Sequence, residues 1–213
     1  MMNSAMPDNA PPITAAVQPT SLDAGYAERL VRKQTAAWKR MIDVQAPYRW
    51  NLRRLKPGFT LDVGCGIGRN LMHLPGQSIG VDPNEHAVAA ARERGLPAFT
   101  PEEFRRSEYC RPERFDSLLL AHVCEHLSEH ASQEVLGEYL PLLRGGGRVI
   151  LIAPQEAGYR SDPTHVVFMD FGRLQGLLNT ARLECRQAYS FPFPRWAGRV
   201  FTYNEFVVVG QKP

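Results

Sequence analysis

Leu61-Asp62-Val63-Gly64-Cys65-Gly66-Ile67-Gly68-Arg69 decides how the rest of this chain is read. A short apolar strand runs straight into three glycines at alternate positions, and a helix follows. Glycine carries no Cβ, so it takes φ > 0 readily and lets a ligand lie against the main chain. A strand, a bare turn and a helix N-terminus together present several backbone N–H groups to an acidic or polar ligand. Downstream, Ile79-Gly80-Val81-Asp82 is a second strand that ends in a carboxylate. Asp82 stands 20 residues after Asp62, close to the ~20-residue spacing at which an acid meets a ribose diol in a mononucleotide-binding fold. The two segments predict an adenosine-type cofactor.

The glycine spacing separates cofactors. A dinucleotide fingerprint needs G-x-G-x-x-G. Here the third glycine comes one residue early, at Gly68, and Arg69 takes its place, which disfavours a nicotinamide-dependent oxidoreductase. LDVGCGIGR resembles motif I of the class I S-adenosylmethionine (SAM)-dependent methyltransferases, and GVDPNEHAVAAARERG resembles their acidic second motif. The resemblance continues through FDSLLLAHVCEHLS and LLRGGGRVILIAP, covering residues 58–155 strongly and the tail weakly. It implies SAM as cofactor, S-adenosylhomocysteine as product, and a seven-stranded Rossmann-like sheet whose last strand runs antiparallel.

The chain has 213 residues, enough for one α/β domain and an N-terminal addition. Its net charge of +3 is too small to argue for nucleic acid. The Asn/Asp-Pro-Pro-Tyr-like loop of many amino-group methyltransferases is also absent after the fourth strand. No apolar run approaches the ~20 residues that cross a bilayer, and the first residues lack a signal peptide's apolar core. The four cysteines (Cys65, Cys110, Cys124, Cys185) form no C-x-x-C pair. The expectation is free thiols in a reducing, cytoplasmic compartment.

Residues 1–20, with Pro7, Pro11, Pro12 and Pro19, have little to bury and read as a disordered tail. Residues 21–56 read as a helical cap, with Trp38, Met41 and Ile42 at helical spacing and Pro47 opening a second helix. Between Gly25 and Lys56 stand nine basic residues and two acidic ones. That surface is expected to cover the cofactor site, with contact to an anionic membrane as the lesser alternative. From residue 57 on, strands are expected near 59–64, 78–82, 97–100, 115–121 and 147–153, then near 184–191 and 203–210. Helices are expected near 68–74, 84–94 and 126–143, and another from an Asp170 cap through Leu178. Alternation of this kind implies a mostly parallel sheet covered on both faces.

The resemblance assigns cofactor roles residue by residue. Gly64, Cys65, Gly66 and Gly68 would approach the methionine half of SAM, with Asp62 orienting the loop and the amino group. Asp82 would accept both ribose hydroxyls, with Pro83 beside the adenosine. A helix N-cap is the plainer role for Asp82. Glu102, in Thr100-Pro101-Glu102-Glu103, stands where relatives place an adenine contact, although Pro101 lacks the N–H usual there. Ala121 and His122, after the fourth strand, would flank the methionine portion.

His122-Val123-Cys124-Glu125-His126 also fits H-x-x-E-H, and His130 extends the four-residue step. His122 falls at a strand end, however, so the three histidines need not share a helix face, and no metal is assigned. His73 and His86 read as surface or boundary residues on helices. His165, in Arg160-Ser161-Asp162-Pro163-Thr164-His165, lies on a polar loop expected over the sulfonium end. It is the candidate general base, with Asp162 as orienting partner. That loop resembles loops of methyltransferases acting on sugars and polysaccharide ends. Tyr159, Arg160, Arg195 and Trp196 are the candidate acceptor contacts. The reading is a methyltransferase acting on a small-molecule or glycan-linked acceptor, on oxygen. A noncatalytic SAM-fold binding or partner protein is the alternative.

Overall fold

The computed structural model describes residues 43–213. The tail and most of the helical cap, with Trp38, Met41 and Ile42, lie outside the described residues. The described chain begins with α1 (Ala46–Arg54), whose first turn holds Pro47 as its spacing predicts. There follow β1 (Thr60–Val63), α2 (Arg69–His73), β2 (Ser78–Val81), α3 (Glu85–Arg92), β3 (Ala98–Phe99), α4 (Pro101–Arg106) and β4 (Phe115–Ala121). The second half comprises α5 (Glu129–Tyr139), β5 (Leu143–Pro154), α6 (Glu156–Arg160), α7 (Phe171–Thr180), β6 (Glu184–Phe191) and β7 (Glu205–Gln211).

The strands form one seven-stranded sheet in the order β3-β2-β1-β4-β5-β7-β6. Pairings from β3 through β5 are parallel. β7 runs antiparallel to both β5 and β6. This is the Rossmann-like arrangement the resemblance implies, with the last strand reversed.

Period-2 alternation covers both faces of the sheet. On β4, Leu118 and Leu120 join one core, and Leu119 and Ala121 the other. On β7, Phe206 and Val208 pair with the first set, and Val207 and Val209 with the second. One core receives Val135, Leu136 and Tyr139 from α5, and Leu174, Leu177 and Leu178 from α7. The opposite core receives Leu52 from α1, with Leu55 and Leu74 beyond the ends of α1 and α2. Each fully buried Leu or Val contributes about 1.5–3 kcal/mol, so α1 is fastened to the sheet mainly by this apolar contact. A further pocket of Leu71, Val88, Ala91 and Ala98 seats α2 and α3 beside β2 and β3.

Several element boundaries differ from the expectations, each for a local reason. The helix expected over 126–143 starts only at Glu129, because Ser128 takes an extended conformation and caps it by accepting from Ala131 N–H. Cys124–His126 before it is a separate 3-10 turn. β5 begins at Leu143 rather than 147, since Leu143 pairs with Phe115 before a register shift. Pro101 opens α4, with a reciprocal Thr100–Glu103 capping box. The expected polar loop after β5 instead starts with a helical turn, α6. His73 is buried at the end of α2, not at the surface, whereas His86 is exposed. The cysteines are free thiols, as expected. Among the described residues no helix is long and apolar enough to cross a membrane.

Candidate active site

Parallel strands β1 and β4 are neighbours, yet the chain leaves them in opposite directions across the sheet. Ligands in open α/β sheets bind in the crevice that such a divergence opens at the strands' carboxyl ends. A cavity of about 610 Å³ lies there, within the range of small-molecule sites. Its wall includes Gly64, Cys65, Gly66, Asp82 and Pro83 on one side and Ala121, His122 and His126 on another. Tyr48 and Arg49 of α1, His165, and the Thr202–Glu205 segment complete it.

The glycine loop has the conformation its composition predicts. Gly64, Gly66 and Gly68 all take positive φ, at 75°, 53° and 82°. A Cβ on Gly64 would stand 2.5 Å from Val123 Cγ2, so a side chain is excluded by contact as well as by backbone conformation. Gly68 caps α2 and packs away from the cavity, against Leu71, Ala91 and Leu96. Arg69 follows it and faces the cavity.

Two buried carboxylates flank the loop. Asp82 Oδ2 accepts from Gly66 N–H at 2.7 Å, and Oδ1 accepts from Asn84 N–H at 2.9 Å. The α3 N-cap is Asn84, which accepts from His86 and Ala87 N–H, so Asp82 is left to the cavity. Burial pushes its carboxyl up to about 6, against the pull of the two N–H donors. Asp62 lies under the loop, 1% exposed. Its Oδ1 is 3.5 Å from Asn70 Nδ2, and its Oδ2 is buried without a hydrogen-bond partner. Burial raises this carboxyl to about 7, opposed by Asn70 and the charge of Arg69.

These features fit SAM: a positive-φ glycine loop on the cavity wall, the Asp82 carboxylate just past β2, and an orphaned Asp62 oxygen buried under the loop. Gly64, Gly66, Asp62 and Asp82 would hold the adenosyl and amino-acid parts. Glu102 is not brought to the cavity; it is exposed on the first turn of α4.

At the end of β4, His122 lines the cavity and takes φ 60°. Its ring lies between two carboxylates: Nδ1 is 3.1 Å from Glu125 Oε1 and Nε2 is 2.9 Å from Glu205 Oε1. Burial works to lower this imidazole, but hydrogen bonds to both carboxylates overcome it and raise it to about 9. His130 is far from this group, exposed on α5 and paired with Glu134, so the histidines at four-residue steps do not converge.

His165 reaches the cavity. Its Nδ1 lies 2.8 Å from the Tyr159 carbonyl, not against the Asp162 carboxylate. Asp162 instead accepts from the Thr164 hydroxyl and N–H, holding the loop. Tyr159 stacks on the His165 ring behind the cavity wall. Arg160 donates to the Arg199 carbonyl. Arg195 forms a bidentate ion pair with Glu156 and lies over the Phe206 ring. With the exposed Trp196 it borders a separate surface depression. None of these last four residues lines the cofactor cavity.

Sequence reading missed Tyr48, Arg49, Glu125, His126 and Glu205 as site residues. Glu125 and His126 had a visible signal in the Glu-His-Leu run. Glu205 opens a β-branched strand, and only the reversal of β7 carries its N-terminal end to the cofactor edge.

A family described as Methyltransferase domain matches residues 61–151. That stretch, from the glycine loop into β5, is similar to methyltransferase domains, and it covers less than half of the chain. It is 28% identical over 117 residues to the ubiquinone biosynthesis O-methyltransferase of Rhodopseudomonas palustris, covering 52% of this chain and 45% of that protein. An uncharacterized methyltransferase of Bacillus cytotoxicus is 26% identical over 96 residues, covering 44% of this chain and 45% of its own length. The chain thus spans about half the length of the curated relatives it matches. A SAM-dependent methyltransferase from Archaeoglobus fulgidus shares the fold, with a TM-score of 0.63 at 18% identity over 82% of this chain and 98% of that one.

Proposed function

We propose that this protein transfers the methyl group of SAM to an oxygen of a small-molecule or glycan-linked acceptor. One observation carries the reading: the positive-φ glycine loop, tied to the buried Asp82 carboxylate, opens onto a cavity whose far wall holds imidazole groups. A relative named for O-methylation in ubiquinone biosynthesis supports an oxygen acceptor.

SAM carries an electrophilic methyl on its sulfonium, so the demanding chemistry belongs to the cofactor. The chain binds, orients and removes a proton. Gly64 and Gly66 keep the loop low enough for close approach. Asp82 accepts the ribose hydroxyls, since a carboxylate has acceptor capacity beyond its two N–H bonds. Ordering the acceptor in line with the methyl supplies roughly 7–11 kcal/mol in favourable cases. His165 holds its Nδ1 proton on the Tyr159 carbonyl, which leaves Nε2 to take the acceptor proton. Tyr48, Arg49 and Tyr203 line the same side and would contact the acceptor.

Calorimetry with SAM, S-adenosylhomocysteine and NAD tests the cofactor assignment. SAM and its demethylated product should bind and NAD should not; the reverse ranking would overturn it. Methylation assays over hydroxylated and amino acceptors then test the oxygen preference. His165→Gln should lower turnover more than SAM affinity, and unchanged turnover removes His165 from the reaction.

A further inference from the structure

Two segments beside the cavity bring together three side chains, of which the methyl-transfer reading uses only His165. Glu125, His126 and His165 each offer one ligand atom, and these atoms lie within 4.8 Å of one another. Glu125 and His126 sit on the 3-10 turn after β4, and His165 comes from the loop after α6. The backbone sews the two segments together: the Glu125 carbonyl accepts from Val166 N–H at 2.8 Å and from Val167 N–H at 3.2 Å.

Each ligand is oriented by a bond on its far side. His165 Nδ1 donates to the Tyr159 carbonyl. His126 Nδ1 lies 3.2 Å from the Thr164 carbonyl and 3.1 Å from Thr164 Oγ1. The Thr164 hydroxyl proton is already given to Asp162 Oδ1, so Oγ1 accepts from His126. Both rings therefore carry their proton on Nδ1 and a lone pair on Nε2. Metal-binding histidines are held in this way, with the second ring nitrogen donating to a carbonyl. The rings stand edge to face, 4.8 Å apart. Glu125 is fully buried. One carboxylate oxygen meets His122, and the other, Oε2, has no hydrogen-bond partner. A buried carboxylate oxygen without a donor is costly unless a cation answers it.

We propose that Glu125, His126 and His165 form a three-ligand site for a divalent transition-metal ion of the zinc type on the acceptor wall of the cavity. Two imidazoles and a carboxylate suit such an ion better than magnesium or calcium, which prefer all-oxygen sets. Tetrahedral ligands at about 2.1 Å from an ion stand about 3.4 Å apart, so small inward rotations complete the site. Two of the three ligands, His126 and His165, line the cavity. On the methyl-transfer reading above, an acceptor hydroxyl bound there would be acidified by the ion, give its proton to solvent water, and take the methyl on its oxygen as S-adenosylhomocysteine leaves. His165 Nε2 is then a ligand, and its role as a base applies only to the metal-free protein.

The test uses the full chain stripped of metal and titrated with Co²⁺ and Zn²⁺. One equivalent of Co²⁺ should bind with visible ligand-field bands, and Zn²⁺ should displace it. His126→Ala and His165→Ala should each weaken binding at least 10-fold, and the double variant should abolish the bands. His130→Ala should leave them unchanged. Calorimetry with SAM on each variant reports whether the fold and cofactor site are intact. No stoichiometric Co²⁺ binding, or bands that survive in the double variant, overturns the metal site even while SAM still binds. Loss of SAM binding by the unaltered chain strikes the methyltransferase reading and leaves the cobalt result to stand by itself.

Discussion

Asp82 at the end of β2 and Gly66 in the loop after β1 are joined by a 2.7 Å hydrogen bond from the Gly66 N–H to Asp82 Oδ2. The bond links the two sequence motifs most diagnostic of the cofactor, across neighbouring parallel strands. One carboxylate thus shapes the loop and lines the cavity. Asp82→Asn keeps the size but replaces one acceptor oxygen with a donor group. Hydrogen bonds to charged groups contribute about 1.5–3 kcal/mol, so the variant should bind SAM on the order of 10–100-fold more weakly. Calorimetry at constant pH checks this; unchanged affinity would show that Asp82 does not contact the cofactor.

Gly64 carries two separable restrictions. At φ 75° an added Cβ is disfavoured by the backbone itself, and it would also meet Val123 Cγ2 at 2.5 Å. The conformational part costs about 1–2 kcal/mol. Gly64→Ala should therefore lower the thermal midpoint and weaken SAM binding. Adding Val123→Ala to that variant should recover the steric part only. A double-mutant cycle by thermal denaturation measures the coupling; strict additivity would mean that the contact with Val123 does not matter.

How much of this site was legible follows from sequence distance. The β1 loop and the β2 carboxylate are local patterns, and they could be placed before any fold was known. So could Asp170, which caps α7 by accepting from Arg173 N–H. Contacts made by topology were not visible. Glu205 reaches His122 only because β7 reverses against β5. Arg195 looked available for an acceptor, but it is engaged by Glu156, 39 residues away in the chain. His165 lines the cavity, yet its partner is a backbone carbonyl that no side-chain pattern announces, not the Asp162 carboxylate. Glu102 failed to reach the cavity because the Thr100 capping box commits that segment to an exposed helix start.

Asp62 makes the stability of the ligand-free protein depend on pH in a defined direction. Burial raises its carboxyl to about 7 in the folded chain, while the unfolded value is near ~3.9. Between those values the folded state holds more protons than the unfolded state. Its stability therefore falls as pH rises from about 4 to about 7, and the full contribution is present only at the acid end. Asp82, raised to about 6, acts in the same sense. Asp62→Asn should remove part of this slope and leave the variant more stable than the parent at pH 7.5. Denaturant unfolding at several pH values tests the sign; a parent protein that gains stability between pH 5 and 7 relative to the variant would contradict it.

Tyr48 joins two parts of the cavity rim that lie far apart in the chain. Its hydroxyl donates to the Tyr203 carbonyl at 2.7 Å, and its ring packs edge-on against Phe191. The bond ties α1 to the segment before β7, and both line the cavity. Tyr48→Phe retains the ring and its apolar packing but removes the tie. An ordinary hydrogen bond contributes about 0.5–1.5 kcal/mol net, so the fold should survive with a small drop in midpoint. The larger effect should be kinetic: with the rim less firmly closed, bound SAM should leave roughly 2–10-fold faster, in proportion to that energy, while its association rate changes little. Stopped-flow displacement by S-adenosylhomocysteine reads this directly. An unchanged dissociation rate would place the cofactor's exit elsewhere on the cavity rim, away from α1.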